Sequence, residues 1–237
     1  MIDVLIAGGG PAGLATAIRC AQAGLSVTVA EPRTGPIDKA CGEGLMPAAV
    51  TRLAALGVHP AGRPLRGIRY MDGSHRSDAL FRHGPGLGVR RTTLHAALAA
   101  RAAELGIPVL PRRVTGFTRR GGVVTAAGVE ARYLVAADGL HSAIRRVQAA
   151  GPPPARYTRF GLRRHYRVAP WTDLVEVHWS RDAEAYITPV AEYGDADLVL
   201  GATRGSACAA TIAWRAGGGS RPAARRMAEC SPSAATR

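Results

Sequence analysis

The pattern that most constrains this chain is a glycine-rich turn between a short apolar strand and an amphipathic helix near its first residue. Gly8, Gly10 and Gly13 have the G-x-G-x-x-G spacing of a turn whose backbone approaches a pyrophosphate. The helix predicted to begin at Pro11 directs free N–H groups and the positive end of its dipole toward such phosphates. A second apolar strand ends at Glu31, where a carboxylate accepts hydrogen bonds from a ribose diol. This unit predicts a Rossmann-like βαβ fold that binds an adenine dinucleotide.

The composition is typical of a soluble globular protein. The 237 residues suffice for one large or two small domains, and 47% of them are hydrophobic. The apolar segment near the N-terminus is too short to span a membrane, and Asp3 stands where a signal peptide carries basic residues. We therefore expect a cytoplasmic protein without a transmembrane segment.

The formal net charge of +14 raises the question of nucleic-acid binding. The basic residues are almost all arginines, with Lys39 as the one lysine, and they are scattered in short pairs such as Arg145-Arg146. These pairs lack the interleaved aromatic residues of a single-strand platform and belong to no nucleic-acid-reading motif. We therefore expect no specific nucleic-acid partner. The four cysteines and seven histidines have no metal-ligand spacing, so we also expect no metal site.

Hydrophobic periodicity predicts further helices and strands along the chain. Helices are expected over 47–56 and 91–105. Strands of the first half are expected over 107–110, 114–117, 123–126 and 133–137, the last of them buried. Alternating apolar and polar residues predict a single antiparallel sheet, with strands over 162–168, 174–180, 185–190 and 197–202.

These elements predict three parts of the chain. The nucleotide-binding domain is placed at 1–64 and 88–150, the antiparallel sheet at 65–87 and 151–205, and a disordered or aberrant tail at 206–237.

Three further segments resemble known flavin motifs. Asp138-Gly139 begins a D-G-x-x-S-x-x-R pattern after a predicted strand, Arg91 leads a helix with leucines at helical spacing, and 39–45 reads KACGEGL. Together with the βαβ unit, over residues 1–205, they resemble the class A flavoprotein monooxygenases and their relatives, the geranylgeranyl reductases. The resemblance implies an α/β fold, in which a Rossmann-like FAD/NAD(P)-binding domain carries an inserted antiparallel β-sheet substrate domain.

The resemblance also implies FAD as the tightly bound cofactor and NAD(P)H as a transient reductant. Arg91 would contact the pyrophosphate or ribityl chain, the Val114 backbone would contact adenine, and Asp138 would serve both nucleotides. Asp138 has an alternative role in the turn that caps the next helix. Cys41 either lies beside the flavin or is a small loop residue without a chemical role. The residues expected to bind the cofactor are Gly8, Gly10, Pro11, Ala12, Gly13, Glu31, Arg91, Val114, Asp138 and Gly139.

Two reactions are consistent with this family. A monooxygenase would use NAD(P)H and O2 to oxygenate a small or hydrophobic organic substrate, and the flavin would carry the chemistry. A geranylgeranyl-reductase-like enzyme would instead reduce an isoprenoid double bond. Members of that branch have a Y-x-W-x-F-P motif, of which residues 184–189 keep the proline and one aromatic.

Family members carry a third flavin motif after the substrate sheet, a Gly-Asp-Ala followed by a Pro-Gly-rich turn and a long helix. Gly194-Asp195-Ala196 has these letters but lies between two predicted strands, so we interpret it as a hairpin turn. The resemblance therefore implies a C-terminally truncated member with weak or absent FAD binding and exposed apolar surface. The alternative to an enzyme is a non-catalytic remnant that binds only ADP-like ligands or nothing.

Overall fold

The computed structural model describes residues 1–148, 161–167, 169–180, 183–190 and 195–201. The helices in these residues are α1 (Pro11–Gln22), α2 (Pro47–Ala55), α3 (Arg91–Glu104) and α4 (Ala143–Val147). The strands of the first half are β1 (Ile2–Ala7), β2 (Val27–Ala30), β3 (Gly44–Leu45), β4 (Arg63–Leu65), β5 (Gly67–Asp72), β6 (His75–Leu80) and β7 (Gly86–Gly88). The later strands are β8 (Val109–Leu110), β9 (Thr118–Arg120), β10 (Val123–Ala126), β11 (Val129–Ala136), β12 (Gly161–Arg167), β13 (Leu174–Trp179), β14 (Glu184–Pro189) and β15 (Asp195–Gly201). The predicted tail at 206–237 lies outside the described residues.

The first sheet is Rossmann-like and has the strand order β8-β2-β1-β11-β10-β9. β1 pairs in parallel with β2 and β11, because its apolar residues are buried on both faces. One face is covered by α1 and α3, whose Ile18 and Leu98 pack against Val4, Ile6 and Val29 of the strands. The short strand β8 extends the parallel part, and β9 and β10 add an antiparallel edge.

The second sheet has the order β12-β15-β14-β13-β5-β6. Its neighbouring strands run antiparallel except β13 and β5, which are parallel. A small sheet, β3-β7-β4, lies against it. A Cβ atom at Gly44 would lie 3.5 Å from Val175 Cγ2, and one at Gly88 would overlap the Pro189 carbonyl oxygen. Glycine at 88 therefore allows the two sheets to meet, whereas a methyl group at 44 would make an ordinary contact.

The predicted α/β fold class is confirmed, with local corrections. The strand predicted over 114–117 is wrong, because residues 112–117 form neither helix nor strand and the next strand begins at Thr118. Val114 instead turns its side chain into a core cluster with Leu5 and Ile144. The strand predicted over 133–137 exists as β11, but Tyr133 is 61% exposed, so its predicted burial is wrong.

The Gly-Asp-Ala letters fall at the start of a strand. The hairpin turn predicted at 194–196 is wrong for its last two residues, because Asp195 and Ala196 are the first residues of β15 and pair with β12. Residue 194 lies outside the described residues. No helix in the described part of the chain is both long and apolar enough to cross a membrane.

Candidate functional site

Two glycines of the turn after β1 are required by packing. Gly8 has φ +105°, and a Cβ atom there would overlap the Ala137 carbonyl oxygen. A Cβ atom at Gly13 would overlap the Gly8 carbonyl oxygen. Both clashes involve backbone atoms. Gly8 therefore allows the turn after β1 to pass close to the end of β11, and Gly13 allows the close helix–strand contact that the motif predicts.

Gly10 differs, because it has open space beside it. It is the N-cap of α1, with no side-chain cap, and the nearest atom to a Cβ built there is Arg91 Nη2 at 4.0 Å. Pro11, the first helical residue, has no N–H, so the unpaired amides of this helix end are those of Gly10, Ala12 and Gly13. An anion at Gly10 would meet these amides and the positive end of the helix dipole.

Arg91 supplies the side chain that faces this opening. Its backbone N–H donates to Glu43 Oε1 at 3.0 Å, which fixes the first residue of α3. Its guanidinium Nε is buried and has no hydrogen-bond partner among the described residues. A buried donor without a partner is costly, and an arginine fork matches a phosphate. The open turn and this donor therefore fit the diphosphate of FAD.

Glu31 lies beside the turn, as predicted, but its oxygens already have partners. Oε2 accepts the Gly9 N–H at 2.8 Å, and the Arg33 side chain donates to both oxygens, at 2.7 and 2.9 Å. Burial alone would raise the pKa of Glu31, but hydrogen bonds from Arg33 and Gly9 lower it to about 2. The carboxylate is ionised at neutral pH and held in place by Arg33, which the sequence motif did not single out.

Asp138 has its alternative predicted role in the turn that caps the next helix, and the structure leaves its nucleotide contact as a prediction. Oδ2 accepts the N–H groups of Ala143 at 2.7 Å and Ile144 at 3.4 Å, so it helps to cap α4, and Ser142 Oγ accepts the Arg145 N–H at 3.0 Å. Burial would raise the pKa of Asp138, but hydrogen bonds from Ser142 and the backbone lower it. Oδ1 is buried and has no hydrogen-bond partner among the described residues, so it can accept a ligand hydroxyl.

The loop predicted to pass the flavin reaches the same edge of the sheet. Lys39 Nζ lies 3.3 Å from a Cβ atom built at Gly139, which has φ +88°. Cys41 is a half-buried free thiol, and Thr188 Oγ1 donates to the carbonyl oxygen of the next residue, Gly42, at 2.7 Å. The loop therefore lies between the Asp138 turn and the second sheet.

Val114 follows β8, which pairs with β2 just before Glu31. Its side chain is buried, and no hydrogen bond to its amide or carbonyl occurs among the residues that the structure describes. Its backbone is therefore free to contact a ligand beside Glu31, and its predicted contact with adenine stays a prediction.

Two buried polar residues near the site were missed from sequence. His95 of α3 has Nε2 2.9 Å from the Gly9 carbonyl oxygen. Glu43, in the loop after Cys41, is 4% exposed and contacts Arg163 and His165 of β12. A polar residue in a helix face or in a glycine-rich loop carries no periodic signal, so only the fold shows that these side chains are buried.

The predicted residues come together at the carboxyl ends of the parallel strands, where such sheets bind ligands. Gly8 follows β1, Glu31 follows β2, and Asp138 follows β11. Arg91 reaches this edge from α3, and the loop that contains Cys41 borders it.

Comparison with known proteins places these features in context. Residues 1–151 match the family described as FAD binding domain. The chain is 34% identical over 167 residues to a menaquinone reductase of Mycobacterium tuberculosis, covering 61% of this chain and 39% of that protein. It is 34% identical over 176 residues to the protoasukamycin 4-monooxygenase of Streptomyces nodosus subsp. asukaensis, covering 60% of this chain and 42% of that protein.

Solved structures show the same fold. A flavoprotein/dehydrogenase from Cytophaga hutchinsonii aligns with a TM-score of 0.73 and 21% identity, over 85% of this chain and 56% of its own. The chain spans less than two thirds of the length of each of these three proteins.

Proposed function

Because this chain belongs to the FAD-binding domain family, we propose that it forms the cofactor-binding part of a cytoplasmic, NAD(P)H-driven monooxygenase. The proposed substrates are O2 and a small or hydrophobic organic molecule. The observation that carries the proposal is Arg91, whose buried Nε lacks a partner among the described residues while its Nη2 faces the open position at Gly10. A diphosphate placed there would meet both the guanidinium and the amides of α1.

The chain's own residues bind and orient in this proposal. The glycine turn and Arg91 hold the diphosphate, Glu31 and the Val114 backbone receive the adenosine half, and Asp138 Oδ1 accepts a ligand hydroxyl. When bound, FAD supplies the redox chemistry between NAD(P)H and the substrates. We assign this binding to 1–64 and 88–150, and substrate binding to 65–87 and 151–205.

One face of the second sheet is turned toward the loop at 39–45, which we expect to pass the flavin. Val175 and Thr188 touch the space around Gly44, and directly paired residues share a face, so Arg163 and His165 of β12 point the same way. Val175 and Thr188 are buried where this face packs against the loop that contains Cys41. A substrate at the border of this face and the loop would be shielded from water by the sheet and would face the cofactor.

Reduction of a double bond is the second candidate function. It is favoured by the sequence match to menaquinone reductases and by the geranylgeranyl-reductase-like segment at 39–45, which lies at the site. The chain is equally similar, at 34% identity, to a monooxygenase, and this similarity favours oxygenation.

Two measurements on the full chain test the proposal. Freshly purified protein, alone and after incubation with FAD and desalting, is examined at about 450 nm, where oxidised flavins absorb. The loaded protein is then given NAD(P)H, menaquinone as probe and isotopically labelled O2, and the product is examined by mass spectrometry. Label in the product supports the monooxygenase, whereas a gain of two hydrogens that remains after the quinol ring is reoxidised, without label, supports reduction of an isoprenoid double bond. Protein that retains no FAD would refute both and favour the remnant.

A further inference from the structure

Glu43 connects three segments of the chain through one buried carboxylate. Oε1 accepts the Arg91 N–H at 3.0 Å and Arg163 Nη1 at 2.6 Å, and Oε2 lies 3.0 Å from His165 Nε2. Its carbonyl oxygen accepts the Val89 N–H at 2.8 Å. It has φ +53°, a conformation that costs energy for a residue with a side chain, so the surrounding contacts must hold it there.

The contacts of Glu43 reach both proposed binding surfaces. Arg91 is the first residue of α3, and its guanidinium faces Gly10 at the start of α1. Arg163 and His165 belong to β12, on the face of the second sheet that is turned toward the loop at 39–45. The Arg163 side chain is only 12% exposed and also donates to Asp38 at 2.6 Å, so it is fixed between two carboxylates.

We propose that Glu43 is a positioning residue. Through Glu43, Arg163 of the second sheet holds Arg91 against the cofactor diphosphate. Arg163 balances the buried negative charge, and Glu43 fixes the Arg91 amide and thereby the start of α3. The inference rests on the proposed function in one respect, since it takes Arg91 as a diphosphate contact. Coupling of this kind is reciprocal, so ligands on the sheet that engage Arg163 would change FAD affinity.

The sharpest test is a double-mutant cycle on FAD affinity, measured by quenching of flavin fluorescence in the full chain. We expect Glu43→Ala and Arg163→Met each to weaken FAD binding by about tenfold, the size of one hydrogen bond to a charged group. In the Arg91→Met background, Glu43→Ala should cause no further loss, because Glu43 acts through Arg91. Glu43→Gln keeps an oxygen for the Arg91 amide and should restore most of the affinity.

Glu176→Ala is the matched control. Like Glu43, Glu176 is a buried carboxylate paired with an arginine, Arg69, at 3.2 Å. It lies in the second sheet, but it follows Val175 in β13 and therefore points to the opposite face. Its loss should lower stability and leave the FAD dissociation constant unchanged. An equal loss of affinity in Glu176→Ala would mean that general destabilisation explains the effect, and the proposal would be overturned.

Hydrogen exchange of the Arg91 amide in the absence of FAD supplies a readout independent of the cofactor. Exchange should be slow in the wild type and in Glu176→Ala, and faster in Glu43→Ala. Unchanged exchange, or additive effects of Glu43→Ala and Arg91→Met on FAD affinity, would overturn the inference. If Arg91→Met binds FAD like the wild type, the assigned role of Arg91 fails and the inference fails with it. If the wild type binds no FAD, the proposed function fails while exchange still decides whether Glu43 holds Arg91.

Discussion

Gly10→Ala should weaken FAD binding while leaving the stability of the fold nearly unchanged. The backbone at Gly10 has φ −70° and ψ 176°, which any residue adopts, and the added methyl would have no atom nearer than Arg91 Nη2 at 4.0 Å. Relative to a Ser or Asp N-cap, alanine costs about 1 kcal/mol and glycine a few tenths, so this exchange costs about 0.5–1 kcal/mol. The smaller conformational freedom of the unfolded chain offsets about 0.4–1 kcal/mol of that cost. We therefore expect a melting temperature within about 4 °C of the wild type.

The same methyl would fill the space where a diphosphate lies against α1. Displacing the diphosphate removes its hydrogen bonds to the Ala12 and Gly13 amides, and a hydrogen bond to a charged group contributes about 1.5–3 kcal/mol. Loss of both corresponds to about 3 kcal/mol or more, so FAD affinity should fall about 100-fold. Quenching of flavin fluorescence measures this change at a temperature where the variant is fully folded.

Gly13→Ala should show the opposite behaviour. Its methyl would overlap the Gly8 carbonyl oxygen and lie 3.4 Å from Ala137 Cβ. Overpacking of this kind costs about 1–3 kcal/mol, which lowers the melting temperature of a chain of this size by about 2–12 °C. Gly161→Ala, in β12, is the control, because no atom of the described residues lies within 4 Å of the new Cβ. Wild-type FAD affinity in Gly10→Ala would refute a diphosphate at this turn, and wild-type melting of Gly13→Ala would refute the packing argument.

Three further predictions follow from the charged contacts. The folded-state pKa of Glu31 is about 2, below the unfolded value of about 4.3. Its contribution is therefore complete above the unfolded pKa and lost as pH falls, and urea titrations between about pH 5 and pH 2 should show a smaller loss of stability in Glu31→Gln than in the wild type. Arg163→Met should lower the free energy of unfolding by about 3–5 kcal/mol, because it leaves buried Glu43 without its guanidinium, whereas Glu43→Gln leaves Arg163 paired with Asp38 and should cost less. Asp138→Ala should cost about 1 kcal/mol in the same assay through loss of the cap on α4, and Asp138→Asn should retain most of it.

The sequence predicts this fold best where the determinants are local. The glycine spacing, the apolar strands around it and Glu31 lie within one βαβ unit, and the structure has the corresponding elements at the predicted places. The parallel pairing of β13 with β5 joins segments about a hundred residues apart, for which a single strand's pattern gives no information. The strand predicted over 114–117 was wrong for a related reason, because a short apolar run can fill a core cluster without joining the sheet.

The site follows the same division. Arg91 and Asp138 were predicted from motifs, but the partner that fixes Arg91 is 48 residues earlier, and the partners of Glu43 are more than a hundred residues later. No spacing rule connects such residues, because the contacts exist only after two sheets have met at the small β3-β7-β4 sheet. Arg33 is the exception, since an arginine two residues after the acid at the end of β2 could have been recognised as its ion-pair partner.

The distribution of charge at the site explains why we expect Arg91 to bind the cofactor diphosphate. Among the arginines near the site, Arg33 donates to Glu31, and Arg163 donates to Glu43 and Asp38. Those two are balanced by protein charge, so an incoming anion gains little from them. Arg91 has its backbone bound to Glu43 while its buried Nε has no partner among the described residues. Arg91 therefore leaves positive charge for a ligand beside Gly10, where the backbone leaves room for a diphosphate.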